Sequence, residues 1–176
     1  MLNKKKMFVL FLCCMLTALV VNTNKCEAKK KYVVKSCPSN TNKSYMDYKC
    51  ITDKSSKQYK LQNKAKTDKK TGIRIVKGRY CIAVGSYYSK KIGTKLDLVM
   101  KNGKVIKCIL ADVKSDSDTI NKHRQHRDGS IVEFIVDTKK IPRIVRLMGD
   151  ISYTKPFKSR IKQIRVYKKI KKKGVE

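Results

Sequence analysis

Acidic side chains are scarce in this chain: 13 Asp and Glu stand against 44 Lys and Arg. That shortage excludes a calcium cage. Asp112, Asp116 and Asp118 are neighbours, but they lack the glycine and the closing glutamate that such a loop requires, so the expectation there is a solvated loop. Histidine is scarcer still. His123 and His126 are the only two, they share one stretch, and Arg124 and Arg127 stand beside them with no third ligand in position. This excludes a zinc centre, and also a ribonuclease-type site, which needs a histidine on each side of the scissile phosphate. No Cys/His spacing reads as a metal site, and no cofactor is expected. A long apolar run is missing as well. The longest, Met7 to Val21, is shorter than the ~20 residues that cross a bilayer.

That run has a different context. Lys4, Lys5 and Lys6 precede it, Asn22, Thr23 and Asn24 follow it, and Cys26 and Ala28 supply the small residues of a cleavage site after Ala28. The pattern predicts a secretory signal peptide over 1–28, with membrane contact only during export and a secreted, extracellular or wall-associated product. Cleavage leaves 40 basic and 12 acidic groups, a net charge of +28. So large a charge costs stability through self-repulsion and favours polyanionic partners. Outside a cell these are anionic wall polymers, lipid headgroups and stray nucleic acid, and a specific nucleic-acid target is not expected. The cysteines that remain are Cys37, Cys50, Cys81 and Cys108. Cys37 and Cys50 flank a polar stretch and are candidates for a bridge. Cys81 and Cys108 lie among Ile, Val and Leu and are expected as core thiols.

Residues 29–56 are rich in Lys, Ser and Asn and read as a basic, flexible lead-in. Residues 57–176 suffice for one core. Tyr59 and Leu61, then Ile73, Ile75 and Tyr80, alternate with polar residues as strands do. Arg79 to Val84, Lys95 to Met100, Lys104 to Leu110 and Ser130 to Val136 are short apolar strands, and Arg160 to Lys169 closes the chain as another. Asn102-Gly103 between two of them predicts a tight hairpin with a type I′ turn. Asp112 to Gly129 reads as a long loop. Ile141 to Met148, with Pro142 near its start and Gly149 after its end, predicts a short helix. There is no βαβ rhythm and no internal repeat, so the fold class is all-β, a small barrel of about six strands with one short helix.

Several stretches resemble the three-aspartate domain, a double-psi β-barrel of secreted wall-active proteins and murein lytic transglycosylases of Gram-positive type. They are Gly78-Arg79-Tyr80-Cys81-Ile82-Ala83-Val84-Gly85, Ile92-Gly93-Thr94, Ile109-Leu110-Ala111-Asp112 and Ser130-Ile131-Val132-Glu133-Phe134-Ile135-Val136-Asp137, with Gln58-Tyr59-Lys60-Leu61-Gln62 and Met148-Gly149-Asp150 as further landmarks. The resemblance implies a six-stranded double-psi barrel over 57–176. It also implies a monomer that binds peptidoglycan and anionic wall polymers and acts on the glycan strand. One family aspartate falls on Asp112. A second position is taken by Glu133, and at the third stand Gly85 and Ser86.

Asp112 and Glu133 are accordingly the candidate catalytic residues. In a lytic transglycosylase one carboxyl group protonates the glycosidic oxygen and then takes a proton from the sugar's 6-hydroxyl, which requires a raised pKa. Strand alternation puts Glu133 on the opposite face from Val132 and Phe134. A neighbouring Asp112 would raise its pKa by like-charge repulsion, and a hydrolase with paired acids is the sister possibility. Ser86, Tyr87 and Tyr88 follow the Gly85 turn as candidate substrate-binding residues, the rings being suited to stacking on sugars. A non-catalytic wall- or polyanion-binding module of the same fold is the alternative.

Overall fold

The computed structural model describes residues 31–39 and 42–168, so the predicted signal peptide lies outside the described residues. The fold is all-β with two short helices. Strands β1 (Tyr32–Ser36), β2 (Asn42–Asp47), β3 (Lys66–Thr67), β4 (Arg74–Val76), β5 (Arg79–Val84), β6 (Lys95–Met100), β7 (Val105–Val113), β8 (Thr119–Ile120), β9 (Gln125–His126), β10 (Ser130–Val136) and β11 (Ile161–Tyr167) are joined by α1 (Lys57–Gln62) and α2 (Arg143–Met148). The main sheet runs β1-β11-β6-β7-β5-β10-β2, with β4 also on β5 and β3 on β4; β8 and β9 form a separate hairpin. Among the described residues β1 and β2 end this path without pairing to each other, so hydrogen bonds do not close it into a ring.

Where the apolar pattern was strongest, the expected strands are found. β5, β6 and β10 occupy the predicted residues, because each alternates large apolar side chains onto one enclosed face. Ile82, Leu96, Leu98, Phe134, Phe157 and Ile164 meet there, drawn from strands across the width of the sheet. The other face of β5, β7 and β10 carries a second, smaller cluster of Val76, Cys81, Ala83, Ile109, Ala111 and Ile135, covered by Tyr48, Ile51 and Leu61. Helix α2 forms as predicted and stops at Gly149, whose left-handed backbone (φ 66°) lets its N–H bond Val145 O.

Other expectations need correcting. The lead-in is ordered where it is described: β1 pairs antiparallel with β11 and β2 parallel with β10. Lys57–Gln62 is a helix, because the Ser56 side chain accepts the Tyr59 N–H at 3.0 Å and caps its first turn. The β6–β7 turn is not type I′. Gly103 alone takes positive φ (82°), and its N–H closes the turn on Met100 O at 3.0 Å. The stretch expected as a long loop holds the β8–β9 hairpin, whose link Asn121-Lys122-His123 is left-handed at all three residues. Cys81 and Cys108 are fully buried on opposite faces of the sheet, and all four described cysteines, Cys37 and Cys50 included, are free thiols.

Candidate functional site: a basic cleft beside an ion-paired acid row

Strand register brings the two predicted acids onto one row. Asp112 on β7 and Glu133 on β10 both pair with Ala83 on β5, the strand between them. Paired residues share a face, so both carboxylates leave the sheet on the side of Ala83, two strand spacings apart, or roughly 10 Å at the backbone. A bulge after Ile82–Leu110 brings Asp112 into this row.

The surroundings of the two acids differ from those of an acid pair. Glu133 Oε2 lies 3.7 Å from Lys114 Nζ, and that lysine side chain is only 4% exposed against 24% for Glu133. Lys114 Nζ also donates to Ser130 Oγ at 3.1 Å, and Ser130 Oγ accepts from Ser44 Oγ at 3.0 Å. Glu133 is therefore the counter-charge of a buried lysine rather than one member of an acid pair. Asp112 accepts the N–H of its neighbour Val113 at 2.8 Å, which holds the end of the strand. Three of the clefts on the described surface have volumes of about 410, 690 and 490 Å³, and neither acid lines any of these three.

The predicted sugar-binding residues are also engaged. Tyr88 is buried, 3% exposed, with its hydroxyl donating to Arg124 O at 3.2 Å, so its ring offers no face to a ligand. Tyr87 stands edge-on to Tyr88, and its ring is covered by Lys35 and Arg124, each 4.3 Å from the centroid. Ser86 Oγ donates to Asp116 at 2.5 Å, and Asp116 also faces His123 at 3.4 Å. His126 pairs instead with Asp128 at 3.0 Å. Among the described residues no group of three His, Cys, Asp or Glu is placed to hold a metal ion.

The 690 Å³ cleft has a different chemistry. Lys31, Arg79, Lys91, Lys95 and Lys168 line it, together with Tyr167 and the Ile92-Gly93-Thr94 backbone. Arg79 is built in: one guanidinium nitrogen donates to Asp97 at 2.8 Å and to the carbonyls of Leu96 and Cys108 at 3.0 Å each. Tyr167 donates to the other Asp97 oxygen at 2.7 Å, which holds the phenol above its usual pKa range. Asp97 is buried and spent on these two partners. The four lysines are exposed, and among the described residues none of them forms an ion pair. The cleft is thus a wall of cations with a fixed guanidinium and a phenol at its base. No family model, curated protein or solved structure matches the chain.

Sequence reading did not find this cleft. Its residues come from the stretch before β1, the start of β5, the approach to β6 and the end of β11, and only the sheet order makes them neighbours. One signal was present: Asp97, a lone acid between Leu96 and Leu98 on an apolar strand, has to be paired if it is buried.

Proposed function

We propose that this chain is an exported, non-catalytic binding module that holds an anionic polymer of the cell wall in the cleft around Arg79 and Tyr167. The observation that carries this reading is the lysine-lined cleft itself, which has five cations on its walls and whose nearest acid, Asp97, is already consumed. A repeating phosphate or carboxylate polymer matches such a groove. Export rests on the charged, apolar and small-residue pattern over Lys4 to Ala28.

The finer fold reading is a double-psi barrel. In its favour, β7 inserts between β5 and β6, parallel to the first and antiparallel to the second, and β2 lies parallel to β10. Parallel pairs of this kind within a small, otherwise antiparallel sheet fit the interlocked connections of such a barrel.

Glycan cleavage is the second reading, favoured by the Asp112–Ala83–Glu133 row. It asks Glu133 to stand in an open groove beside a second acid, whereas its carboxylate is engaged by Lys114 at 3.7 Å and lines none of the three clefts, and so we place binding first. Incubating the full chain with purified sacculi separates the two. The expected result is co-sedimentation that weakens when teichoic acid is stripped and when Lys91, Lys95 and Lys168 are changed together to Gln, with no soluble muropeptide. Muropeptide release that disappears in Glu133→Gln overturns the binding-only reading.

A further inference from the structure

Eight large apolar side chains are exposed among the described residues, and four of them, Ile144, Leu147, Met148 and Tyr153, fall within ten positions of one another. Scattered exposed apolar residues need no explanation, but a cluster of them does. Helix α2 turns Val145 into the core and leaves Ile144, Leu147 and Met148, spaced three and four apart, on a single outward stripe. Leu147 is 68% exposed, the highest of the eight. The 3-10 turn Ile151–Tyr153 packs beside the helix and adds the Tyr153 ring.

Cations surround this stripe. Lys139, Lys140, Arg143, Arg146, Lys155 and Lys158 are all exposed. Asp150 is the sole acid between positions 139 and 160, and it is turned inward, accepting the N–H groups of Ser152 and Lys43. Asp137, just before, pairs with Lys140 at 3.7 Å. The occupant that matches such a face is apolar in the middle and negative at its edge. A second copy of this chain does not match, because it would bring the same cations against these. A bilayer surface does: acyl chains receive the stripe while anionic headgroups meet the lysines and arginines.

We propose that the face formed by α2 and the following turn is a peripheral membrane-binding surface for anionic phospholipid, with Leu147, Met148 and Tyr153 entering the interface. No helix among the described residues is long and apolar enough to cross a membrane, so the contact is adsorption to one leaflet. The proposal is independent of the polymer cleft, since the two share no residue.

The chain contains no tryptophan, so a single introduced indole reports on its own position. Full-length Leu147→Trp is mixed with vesicles of equal parts phosphatidylglycerol and phosphatidylcholine, with brominated acyl chains as quencher. Val105→Trp, on the exposed β7 end of the hairpin, serves as control. The expected result is a blue shift and bromolipid quenching at position 147, absent at 105 and weak on pure phosphatidylcholine. Adding Met148→Glu lowers the 147 signal's apparent affinity by about tenfold or more, the loss expected when one large apolar side chain no longer leaves water. Because the indole reads only its own depth, any insertion by the N-terminal apolar run does not produce this signal. An unquenched indole at 147 on anionic vesicles overturns the proposal. A blue shift without lipid that grows with protein concentration also overturns it, in favour of a contact between copies.

Discussion

Burying a lysine side chain to 4% exposure is costly without a counter-charge, and Lys114 has Glu133 at 3.7 Å. Taking the acid away leaves the ammonium with Ser130 alone. We predict that Glu133→Leu destabilises the fold by about 2 kcal/mol, below the ~3–5 of a fully buried pair because Glu133 keeps some contact with water. The double change Lys114→Met with Glu133→Leu should recover most of that loss, and urea unfolding of the three variants measures it. An equal loss in the single and double variants would mean that the pair contributes nothing beyond packing. The thiols supply a second prediction at this scale. Burial raises Cys37 and Cys81 to about 11 and pushes Cys108 well above its usual value, whereas Cys50 is exposed. Only the thiolate reacts, so among the described cysteines iodoacetamide at mildly alkaline pH should label Cys50 first, with the other three following only on unfolding. Peptide mass mapping over time tests that order.

Among the elements, the β8–β9 hairpin depends on one glycine. A Cβ at position 85 would stand 2.0 Å from the His123 carbonyl oxygen, a distance no side chain tolerates. Gly85→Ala should therefore force the hairpin off the β5 end, at a cost of about 2 kcal/mol. Amide exchange should accelerate at 119–126 while β5 and β6 stay protected; unchanged exchange there would show that the hairpin yields without detaching. The elements also show what was legible in the sequence. β5, β6, β10 and α2 carry their own instructions, namely an apolar face at the right period and a glycine or proline near the border. β1 and β2 do not. Tyr32-Val33-Val34 is a three-residue apolar run inside a lysine- and serine-rich stretch, too short to be read as a strand until β11 arrives beside it, and Asn42–Asp47 gains its place only against β10. α1 alternates like a strand and is decided by a single capping hydroxyl. Alternation placed Glu133 opposite Val132 and Phe134, but its shared face with Asp112 comes from the pairing of both strands with β5. Lys114 was not legible either, because its position depends on chain beyond the bulged β7 end, and a one-residue slip reverses every side chain.

At the scale of the whole molecule the governing quantity is a formal net charge of +31. Self-repulsion of that size is screened by salt, since the Debye length falls from about 30 Å at 0.01 M to about 10 Å at 0.1 M. The thermal midpoint should rise with sodium chloride over this range, as calorimetry can check; a midpoint that falls would mean that specific ion pairs outweigh the repulsion. Binding should move the other way. Affinity for a poly(glycerol phosphate) probe should drop linearly on a log–log salt plot. Each cleft lysine changed to Gln should reduce the slope by roughly 0.7 to 0.9 if that lysine meets a charge of the polymer. A slope that is unchanged in the Lys91, Lys95 and Lys168 variants would place the polymer elsewhere on the surface.

The pairing of β1 with β11 has a consequence for how the molecule is made. The segment that leaves a ribosome or a translocation pore ahead of the other described strands has its hydrogen-bonding mate at the opposite extreme of the polypeptide, and its successor β2 also waits, for β10. Neither can settle while synthesis or passage is under way. Of the described strands, the one made first is therefore among the last to find its seat.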